Sequence, residues 1–559
     1  MASKITMDIP PFQATSLEAV AAKCARVAAT FRTHRTKDLE WRKLQLRKLY
    51  WATVDYTPQL AEALRRDMNK SLFESLLGEI DFVKNDCLFL LSQLDKLAAD
   101  ERMKSPDVPL SYAAAGLRVR KEPLGAVLII GAYNYPLNLL VCPLVGAIAA
   151  GCTAVVKPSE VSPNVAMVVQ QMIEERLDND AFQVVNGAVP ETTALLDFRD
   201  QGELGQIDGE ERGWGKIFYT GSRQVARIVA AKAAATLTPV TLELGGRNPA
   251  FVTDKAKIDL AARRLLWGKT MGAGQVCMSA NYIMVQRNIV DEFVQSLKTA
   301  HQATFPNGAK NSELVHIVNA RHFARLKKML EDTKGRIVLG GEMDEETLFM
   351  EPTAVLVDSL DDALIQQESF GPIFSILPVD NLPSAIHIAN QVDPTPLALY
   401  SFGSKEENAQ VLREVNSGGA SLNDAYMHGS SNSVTFGGVG HSGTGAYRGR
   451  ASFDTFTHRR TVAETPTWME GLLRVRYMPY DWKQRRFIEF LDPKPDFDRT
   501  GRVSKGLFYW LQVVFGLGSQ STRGNVDVSS FLQHLILPLN PVSLMAVGLD
   551  PNPVENGYM

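Results

Sequence analysis

Residues 123–156 contain no Asp, Glu, Lys or Arg. An uncharged run of that length belongs either in a bilayer or in a core buried on every side. The residues inside the run separate the two. Pro136 and Pro143, four glycines (Gly125, Gly131, Gly146, Gly151) and two asparagines interrupt it. A membrane span is poorly served by so many breaks. The pattern instead predicts a buried strand at 126–130, a turn, a helix from about 137 to 150 and a second strand at 153–157. Strand, helix and strand in about thirty residues make a βαβ unit of a doubly wound sheet, whose central strands are apolar on both faces. The fold class is therefore α/β.

At 559 residues the chain exceeds what one core carries, and 45% apolar with 22% charged residues is globular composition. Lys and Arg total 59 against 62 for Asp and Glu, a net charge of −3 that leaves no electrostatic footprint for nucleic acid. The five cysteines (Cys24, Cys87, Cys142, Cys152, Cys277) are widely spaced and form no C-x-x-C pair. That pattern argues against a disulfide framework or a metal site and fits a reducing compartment. The first twenty residues carry Lys4, Asp8 and Glu18 and show no secretory core. Residues 16–104 read as a helical layer, with Leu17, Val20, Ala21 and Cys24 opening an apolar stripe that continues through Leu64, Met68, Phe82, Leu88, Leu91 and Leu94.

Several stretches carry chemistry-bearing residues. Cys277 lies in Gly272-Ala273-Gly274-Gln275-Val276-Cys277-Met278-Ser279, a small-residue approach that lets backbone come near a ligand. Taken alone it reads as a buried structural thiol or as a nucleophile that needs a base. Glu243 is one carboxylate within the β-rich segment 240–246. It either faces solvent on an alternating strand or has partners at a cleft. The first strand is followed not by Gly-x-Gly-x-x-Gly but by Ala132-Tyr133-Asn134-Tyr135-Pro136. Thr220-Gly221-Ser222 joins an apolar strand to a helix start, which either receives a phosphate or is simply capped. Residues 201–215 read as a surface loop. A second α/β unit runs from about 243 to 420, with strands such as 354–357 and 373–377. The glycine-dense stretch 436–445 is either a linker or a backbone-lined site wall.

Six motifs stand in order: Gly131-Ala132-Tyr133-Asn134-Tyr135-Pro136, Lys157-Pro158-Ser159-Glu160, Tyr219-Thr220-Gly221-Ser222, Glu243-Leu244-Gly245-Gly246, Gly274-Gln275-Val276-Cys277 and Glu368-Ser369-Phe370-Gly371-Pro372. Together they resemble the aldehyde dehydrogenase superfamily over about residues 20–460. Residues 190–193, 396–400 and 440–443 resemble its class 3 branch, which includes fatty aldehyde dehydrogenases and relatives acting on apocarotenals. The resemblance implies a Rossmann-type NAD-binding domain (1–105 and 123–242), a catalytic domain (243–425), bridging or oligomerisation segments (106–122 and 426–460) and a C-terminal tail (461–559). It implies that Cys277 attacks the aldehyde to give a thiohemiacetal and then a thioester, that Asn134 and the Cys277 N–H hold the oxyanion, and that Glu243 activates water. Lys157 and Glu160 would meet the adenine ribose, Thr220, Gly221 and Ser222 the pyrophosphate, and Glu368 the nicotinamide ribose, with Leu244 and Phe370 alongside. Glu160 favours NAD, while Lys157 leaves NADP possible.

The implied substrate is an apolar aldehyde (long-chain fatty, apocarotenoid or aromatic), and the implied assembly is an intracellular homodimer, cytosolic or on the cytosolic face of a membrane. Arg247 and Ala226 depart from residues common in the family. Two rival readings remain. A CoA-acylating dehydrogenase would not need Glu243, and a non-catalytic binding protein would not need Cys277, Glu243 or Asn134. In the tail, residues 506–518 are uncharged but span only about 20 Å as a helix, short of a bilayer core. With Lys505, Tyr509 and Trp510 they suit a peripheral membrane contact. A second apolar patch at 535–549 is broken by Pro538 and Pro541, and packing on the protein is the alternative for both.

Overall fold

The uncharged run forms β1 (Ala126–Ile130), the helix Asn138–Ala150 and β2 (Thr153–Lys157). The computed structural model describes residues 8–103, 108, 115–200, 206, 207, 210–491, 495 and 497–503. Every residue of that helix and of β2 is buried, as is β1 from its second residue onward. Pro143 lies inside the helix. It removes one backbone donor, and burial of the whole helix outweighs that local loss.

In chain order there follow β3 (Phe182–Val184), β4 (Lys216–Thr220), β5 (Val240–Glu243), β6 (Asn248–Val252), β7 (Ala280–Gln286), β8 (Arg336–Leu339), β9 (Thr353–Leu356), β10 (Ile373–Val379), β11 (Ala398–Phe402), β12 (Gly419–Leu422) and β13 (Gly443–Thr444). They form two sheets. The first has the order β13-β5-β4-β1-β2-β3 and is parallel except for β13. The second has the order β8-β9-β10-β7-β6-β11-β12 and is parallel except for β8 against β9. In the first sheet the winding reverses between β1 and β4. Such a reversal opens a crevice beyond the carboxyl ends of the strands. Asn134, Lys157, Thr220 and Glu243 all lie at or just beyond those ends.

The segment before β1 is helical as its pattern predicts: Leu17–Arg32, Leu39–Asp55, Thr57–Met68, Leu72–Ser75 and Asp81–Ala98. Ser16, Asp38 and Ser71 cap three of these helices by accepting from N–H groups of the first turn. The buried stripe is offset from the predicted one. Val20, Cys24, Val27 and Ala28 face the core, whereas Leu17, Ala21 and Leu88 are exposed. Within 201–215, Gln206–Ile207 pairs with Glu210–Glu211, so this insertion carries a small antiparallel ladder.

One buried ion pair ties the helical layer to the turn after β1. Lys70 Nζ lies 2.8 Å from Glu79 Oε1, and both side chains are fully buried. Lys70 also donates to the Asn134 carbonyl at 3.1 Å and lies over the Tyr135 ring, 4.1 Å from its centroid. The other Glu79 oxygen accepts from the N–H groups of Leu137 and Asn138, at 3.1 and 2.9 Å, where the buried helix begins. Burial pushes the Glu79 carboxyl up, and Lys70 with these two N–H groups pulls it back.

By packing, the chain divides into two units. One comprises Met1–Arg102 and Arg118–Ala463 and holds both sheets. The other comprises Met103–Leu117 and Glu464–Met559; in it the Glu464 N–H bonds the Ala115 carbonyl at 2.9 Å, and a helix runs over Trp482–Leu491. The uncharged stretches 506–518 and 535–549 lie outside the described residues. Among the described residues no helix is long and apolar enough to cross a membrane.

The ion pair generates a stability prediction. Lys70→Met leaves Glu79 buried without its cation and lowers stability by about 3–5 kcal/mol. Adding Glu79→Gln recovers part of that loss, because no buried charge is then left uncompensated. Urea unfolding of the two variants measures this, and a Lys70→Met stability within about 1 kcal/mol of wild type would refute it.

Candidate active site

Cys277 is presented by a turn in which Gly272, Ala273 and Gly274 have φ of 55°, 48° and 67°. Left-handed backbone costs an alanine about 1–2 kcal/mol, so the turn needs outside support. Glu74 Oε1 accepts from Gly272 N at 2.7 Å. Gln275 Nε2 donates to the carbonyls of Gly272 and His316 at 3.1 and 3.0 Å, while its Oε1 accepts from Val318 N at 3.1 Å. A Cβ on Gly274 would stand 2.1 Å from the Gly371 carbonyl oxygen, which restricts this position to glycine. Beyond the turn, Asn248 Nδ2 donates to the Cys277 and Ser279 carbonyls at 2.8 and 2.9 Å, and Asn248 Oδ1 accepts from Ala398 N at 2.9 Å. The Tyr400 hydroxyl donates to the Met278 carbonyl. Cys277 is partly exposed, whereas Cys24, Cys87, Cys142 and Cys152 are buried.

Glu243 ends β5, between Thr220 on β4 and Gly443 on β13. It is 3% exposed, and neither carboxylate oxygen has a hydrogen-bond partner among the described residues. The solvent-facing alternative therefore fails. Residues 436–445, with β13 inside them, close over this edge of the sheet, so the glycine-dense stretch is a wall rather than a linker. A Cβ on Gly443 would stand 1.9 Å from the Leu242 carbonyl oxygen. Burial pushes the Glu243 carboxyl well above the usual carboxylate range, and the Arg448 charge pulls it partly back. The Cys277 thiol is pushed up to about 12, first by burial and then by the negative charges of Glu243 and Glu368. The thiol thus feels the carboxyl's charge, and burial makes both reluctant to ionise.

Asn134 is buried, and its Nδ2 donates to the Gln275 carbonyl at 2.9 Å. This bond draws the turn after β1 against the cysteine turn. An amide nitrogen carries two hydrogens, so one remains to be given elsewhere.

Glu368 accepts from Gly246 N at 3.2 Å. Burial pushes its carboxyl up to about 7 against the pull of that N–H and of Arg223, Arg325 and Lys269. Phe370, at φ 43°, sets its ring edge-on to Tyr133 with centroids 6.0 Å apart. Leu244 is buried and its N–H bonds the Ser442 carbonyl at 3.0 Å. The Thr220 hydroxyl oxygen is buried with no partner among the described residues, and Gly221 N bonds the Glu243 carbonyl at 3.0 Å. Ser222 caps the helix Arg223–Ala234 through Val225 N. The structure thus brings Glu243, Cys277 and Glu368 within range of one another's charge, and ties Asn134 to Gln275, two residues before Cys277. Lys157 and Glu160 form a separate cluster at the end of β2, where buried Lys157 lies 3.3 Å from exposed Glu160 and donates to the Pro158 carbonyl at 2.9 Å.

Sequence reading missed four contributors: Asn248, the Lys70–Glu79 pair, Lys269 and Arg448. Lys269 is buried, donates to the Gly371 carbonyl at 3.2 Å, and is pushed down to about 7 by burial against the upward pull of the Glu368 charge. A polar residue opening an otherwise apolar strand was a readable sign at Asn248. The others look in sequence like ordinary surface charges.

The aldehyde dehydrogenase family model matches residues 5–462. Beta-apo-4'-carotenal oxygenase of Neurospora crassa is 57% identical over 527 residues, covering 94% of this chain and 95% of that one. Aldehyde dehydrogenase family 3 member A2 of Mus musculus is 38% identical over 491 residues, covering 88% and 97%. Among solved structures, the substrate-bound state of Staphylococcus aureus AldH superposes with a TM-score of 0.79 at 35% identity, covering 86% of this chain and all of that one.

The surroundings of Cys277 generate a pH prediction. A thiol held near 12 is protonated at neutral pH, so its alkylation by iodoacetamide in the ligand-free protein climbs about tenfold per pH unit. The rise continues through pH 9.5. Peptide mapping of alkylated Cys277 reads the rate, and a plateau by pH 8 would show the thiolate already formed.

Proposed function

We propose that this chain, which belongs to the aldehyde dehydrogenase family, oxidises its aldehyde through Cys277, Asn134 and Glu243. It is an aldehyde-oxidising oxidoreductase acting on apolar aldehydes with a nicotinamide cofactor. The observation that carries the residue assignment is the Glu243 carboxyl group, buried with no hydrogen-bond partner among the described residues and acting on the Cys277 thiol. A structural glutamate would be expected to have its oxygens satisfied.

The Cys277 sulfur adds to the aldehyde carbon, and its proton leaves to a base or to water. The carbonyl oxygen gathers charge and is met by the remaining Asn134 N–H and the Cys277 N–H, each contributing about 3–4 kcal/mol to the transition state. When bound, the nicotinamide supplies the acceptor for the hydride whose loss turns the thiohemiacetal on Cys277 into a thioester. Glu243 then takes a proton from water as the water oxygen attacks the thioester carbon. The C–S bond breaks, the acid leaves and Cys277 regains its proton. A carboxyl raised by burial suits that role near neutral pH. The presence of Glu243 favours hydrolysis over transfer of the acyl group to a thiol.

The residues present fit a dinucleotide. A Cβ on Gly221 would stand 2.3 Å from the Tyr219 hydroxyl oxygen, and one on Gly245 would stand 2.4 Å from Glu368 Oε1, so only bare backbone fits at these approaches. The Thr220 hydroxyl, without a partner among the described residues, immediately precedes the first of them. Thr220, Gly221 and Ser222 would hold the pyrophosphate, Glu368 the nicotinamide ribose, and Lys157 with Glu160 the adenine ribose. Leu244 and Phe370 would pack alongside. NAD is preferred because Glu160 stands at that ribose and engages Lys157, the cation that would otherwise meet a 2′-phosphate.

A cavity of about 480 Å³ lies beside the segment leading to Cys277, bounded in part by Phe73, Leu77, Trp267, Met271, Phe305 and Leu314. This apolar side would take the chain of a long or bulky aldehyde of the fatty or apocarotenoid kind, while Glu74, Asn307, Asn311 and Glu313 line its polar side.

Two predictions follow from these roles. Glu243→Gln gives one equivalent of reduced cofactor per site and then stalls, while Cys277→Ser gives no burst and still binds NAD. Stopped-flow absorbance distinguishes them. Full-rate turnover by Glu243→Gln would remove it as the deacylation base, and Cys277→Ser activity within about tenfold of wild type would remove the nucleophile. Separately, wild type has the higher kcat/KM with NAD, and Glu160→Gln narrows the NAD-to-NADP ratio. A wild-type preference for NADP would contradict the assigned role of Glu160.

A further inference from the structure

We propose that Arg223 is a further cofactor-binding residue, a cation that meets the pyrophosphate of the dinucleotide. The proposal rests on the reading of Thr220, Gly221 and Ser222 as the place where that pyrophosphate sits.

Arg223 opens the helix Arg223–Ala234, directly after Ser222, whose Oγ accepts from Val225 N at 3.3 Å. The first turn of a helix carries partial positive charge and favours acidic side chains. This one holds no acidic residue and begins with an arginine. Such a cation works against the helix dipole, and two positive features converging on one point suit an anion. A second observation at the same place points to a ligand. Thr220 is 6% exposed, and its hydroxyl oxygen is buried without a partner among the described residues.

The contacts of Arg223 place it between the two ends of the cofactor crevice. Among the described residues its guanidinium has one partner, Asp393, whose Oδ2 lies 3.5 Å from Nη2. That is a long, weak contact, and the arginine side chain remains 37% exposed. The same Oδ2 accepts from Arg247 N at 3.2 Å, and the neighbouring Gly246 N bonds Glu368 Oε1 at 3.2 Å. Arg223 therefore has Ser222 on one side and, through Asp393 and the 246–247 backbone, Glu368 on the other. A dinucleotide with its phosphates at Thr220–Ser222 and its nicotinamide ribose at Glu368 runs along that interval. In keeping with this, Arg223 is among the charges that pull the Glu368 carboxyl down.

Asp393 orients the arginine without using it up. It is 1% exposed, and its Oδ1 accepts from Thr395 N at 3.4 Å and lies 3.6 Å from His441 Nδ1. The carboxylate is thus divided among Arg223, two backbone N–H groups and His441. A guanidinium has five N–H donors in a fixed fork, and only one of them is engaged here. A pyrophosphate supplies acceptors that match the fork.

The test is the binding of NADH and of NADPH to the full-length protein without aldehyde, read by titration of nicotinamide fluorescence. Arg223→Gln weakens both cofactors by about tenfold, the loss of one charge-assisted contact. It also flattens the fall in affinity between about 20 and 300 mM salt, because a screened contact is gone. Arg223→Lys keeps the charge without the fork and binds within about threefold of wild type. The proposal is overturned if Arg223→Gln binds NADH within about twofold of wild type, or if its loss is the same at every salt concentration. Weakening confined to NADPH also overturns it, since the cation would then stand at the 2′-phosphate. Should Arg223→Gln fail to fold, as a thermal melt would show, the wild-type protein decides. Phenylglyoxal labels Arg223 in the ligand-free protein and saturating NADH suppresses that labelling; equal labelling with and without NADH overturns the proposal. Gly221→Ala, which puts a Cβ into the phosphate approach, is run in parallel. If it loses NADH binding while Arg223→Gln does not, the pyrophosphate site stands and the role of Arg223 falls; if neither variant changes binding, both fall together.

Discussion

The Lys70–Glu79 pair is the constraint on which the site depends. Two opposite charges taken wholly out of water are tolerated only when their remaining hydrogen-bonding capacity is also used. Here the ammonium reaches the Asn134 carbonyl and the carboxylate takes two N–H groups where the buried helix Asn138–Ala150 begins. Negative charge is favourable at a helix start, so Glu79 acts there as a cap delivered from another element. The turn bearing Asn134 is consequently pinned at both ends, by Lys70 at its carbonyl and by Gln275 at its amide. A donor aimed at a developing charge is useful only if it is held in place beforehand.

The chemistry then follows from a second imbalance of buried charge. Cys277 and Glu243 lie in surroundings that disfavour ionisation of both, and the groups that make ionisation affordable lie outside the first ring of residues. Asn248 fixes the cysteine's carbonyl and Glu74 the glycine turn, and the Arg448 charge pulls the Glu243 carboxyl partly back down. Geometry and electrostatics are therefore provided by different side chains. Changes to either set have separable effects on rate and pH dependence.

The βαβ unit was legible because an absence of charge over residues 123–156 is a property of one contiguous segment, and its strands fall at 126–130 and 153–157 as the pattern predicts. The family motifs were legible for the same reason, being short and ordered along the chain. Glu243 was ambiguous, because alternation within a strand does not reveal that residues 436–445 return to cover its outer edge. Lys70 and Glu79 were invisible among many helical charges, since what distinguishes them is burial under elements more than fifty residues away. The apolar stripe of the first helix was half right, with Val20 and Cys24 buried as predicted. Leu17 and Ala21 fit the helical period as well as Val27 and Ala28 do, and only tertiary packing selects between them.

The pairing of Gly443 with Glu243, together with the bond from Leu244 N to the Ser442 carbonyl, has a consequence for biosynthesis. Chains fold largely from the N-terminus as they leave the ribosome. A nascent chain that has exposed Cys277 still lacks the strand that seals Glu243, and that strand emerges only after both sheets have received their other members. Until then the carboxylate lies at an open, hydrated edge, with the surroundings of an ordinary surface acid. A half-made chain therefore presents a thiol without its tuned partner. Closing that strand then lowers the bare thiol's reactivity toward electrophiles, since burial and the Glu243 charge are what push it up to about 12.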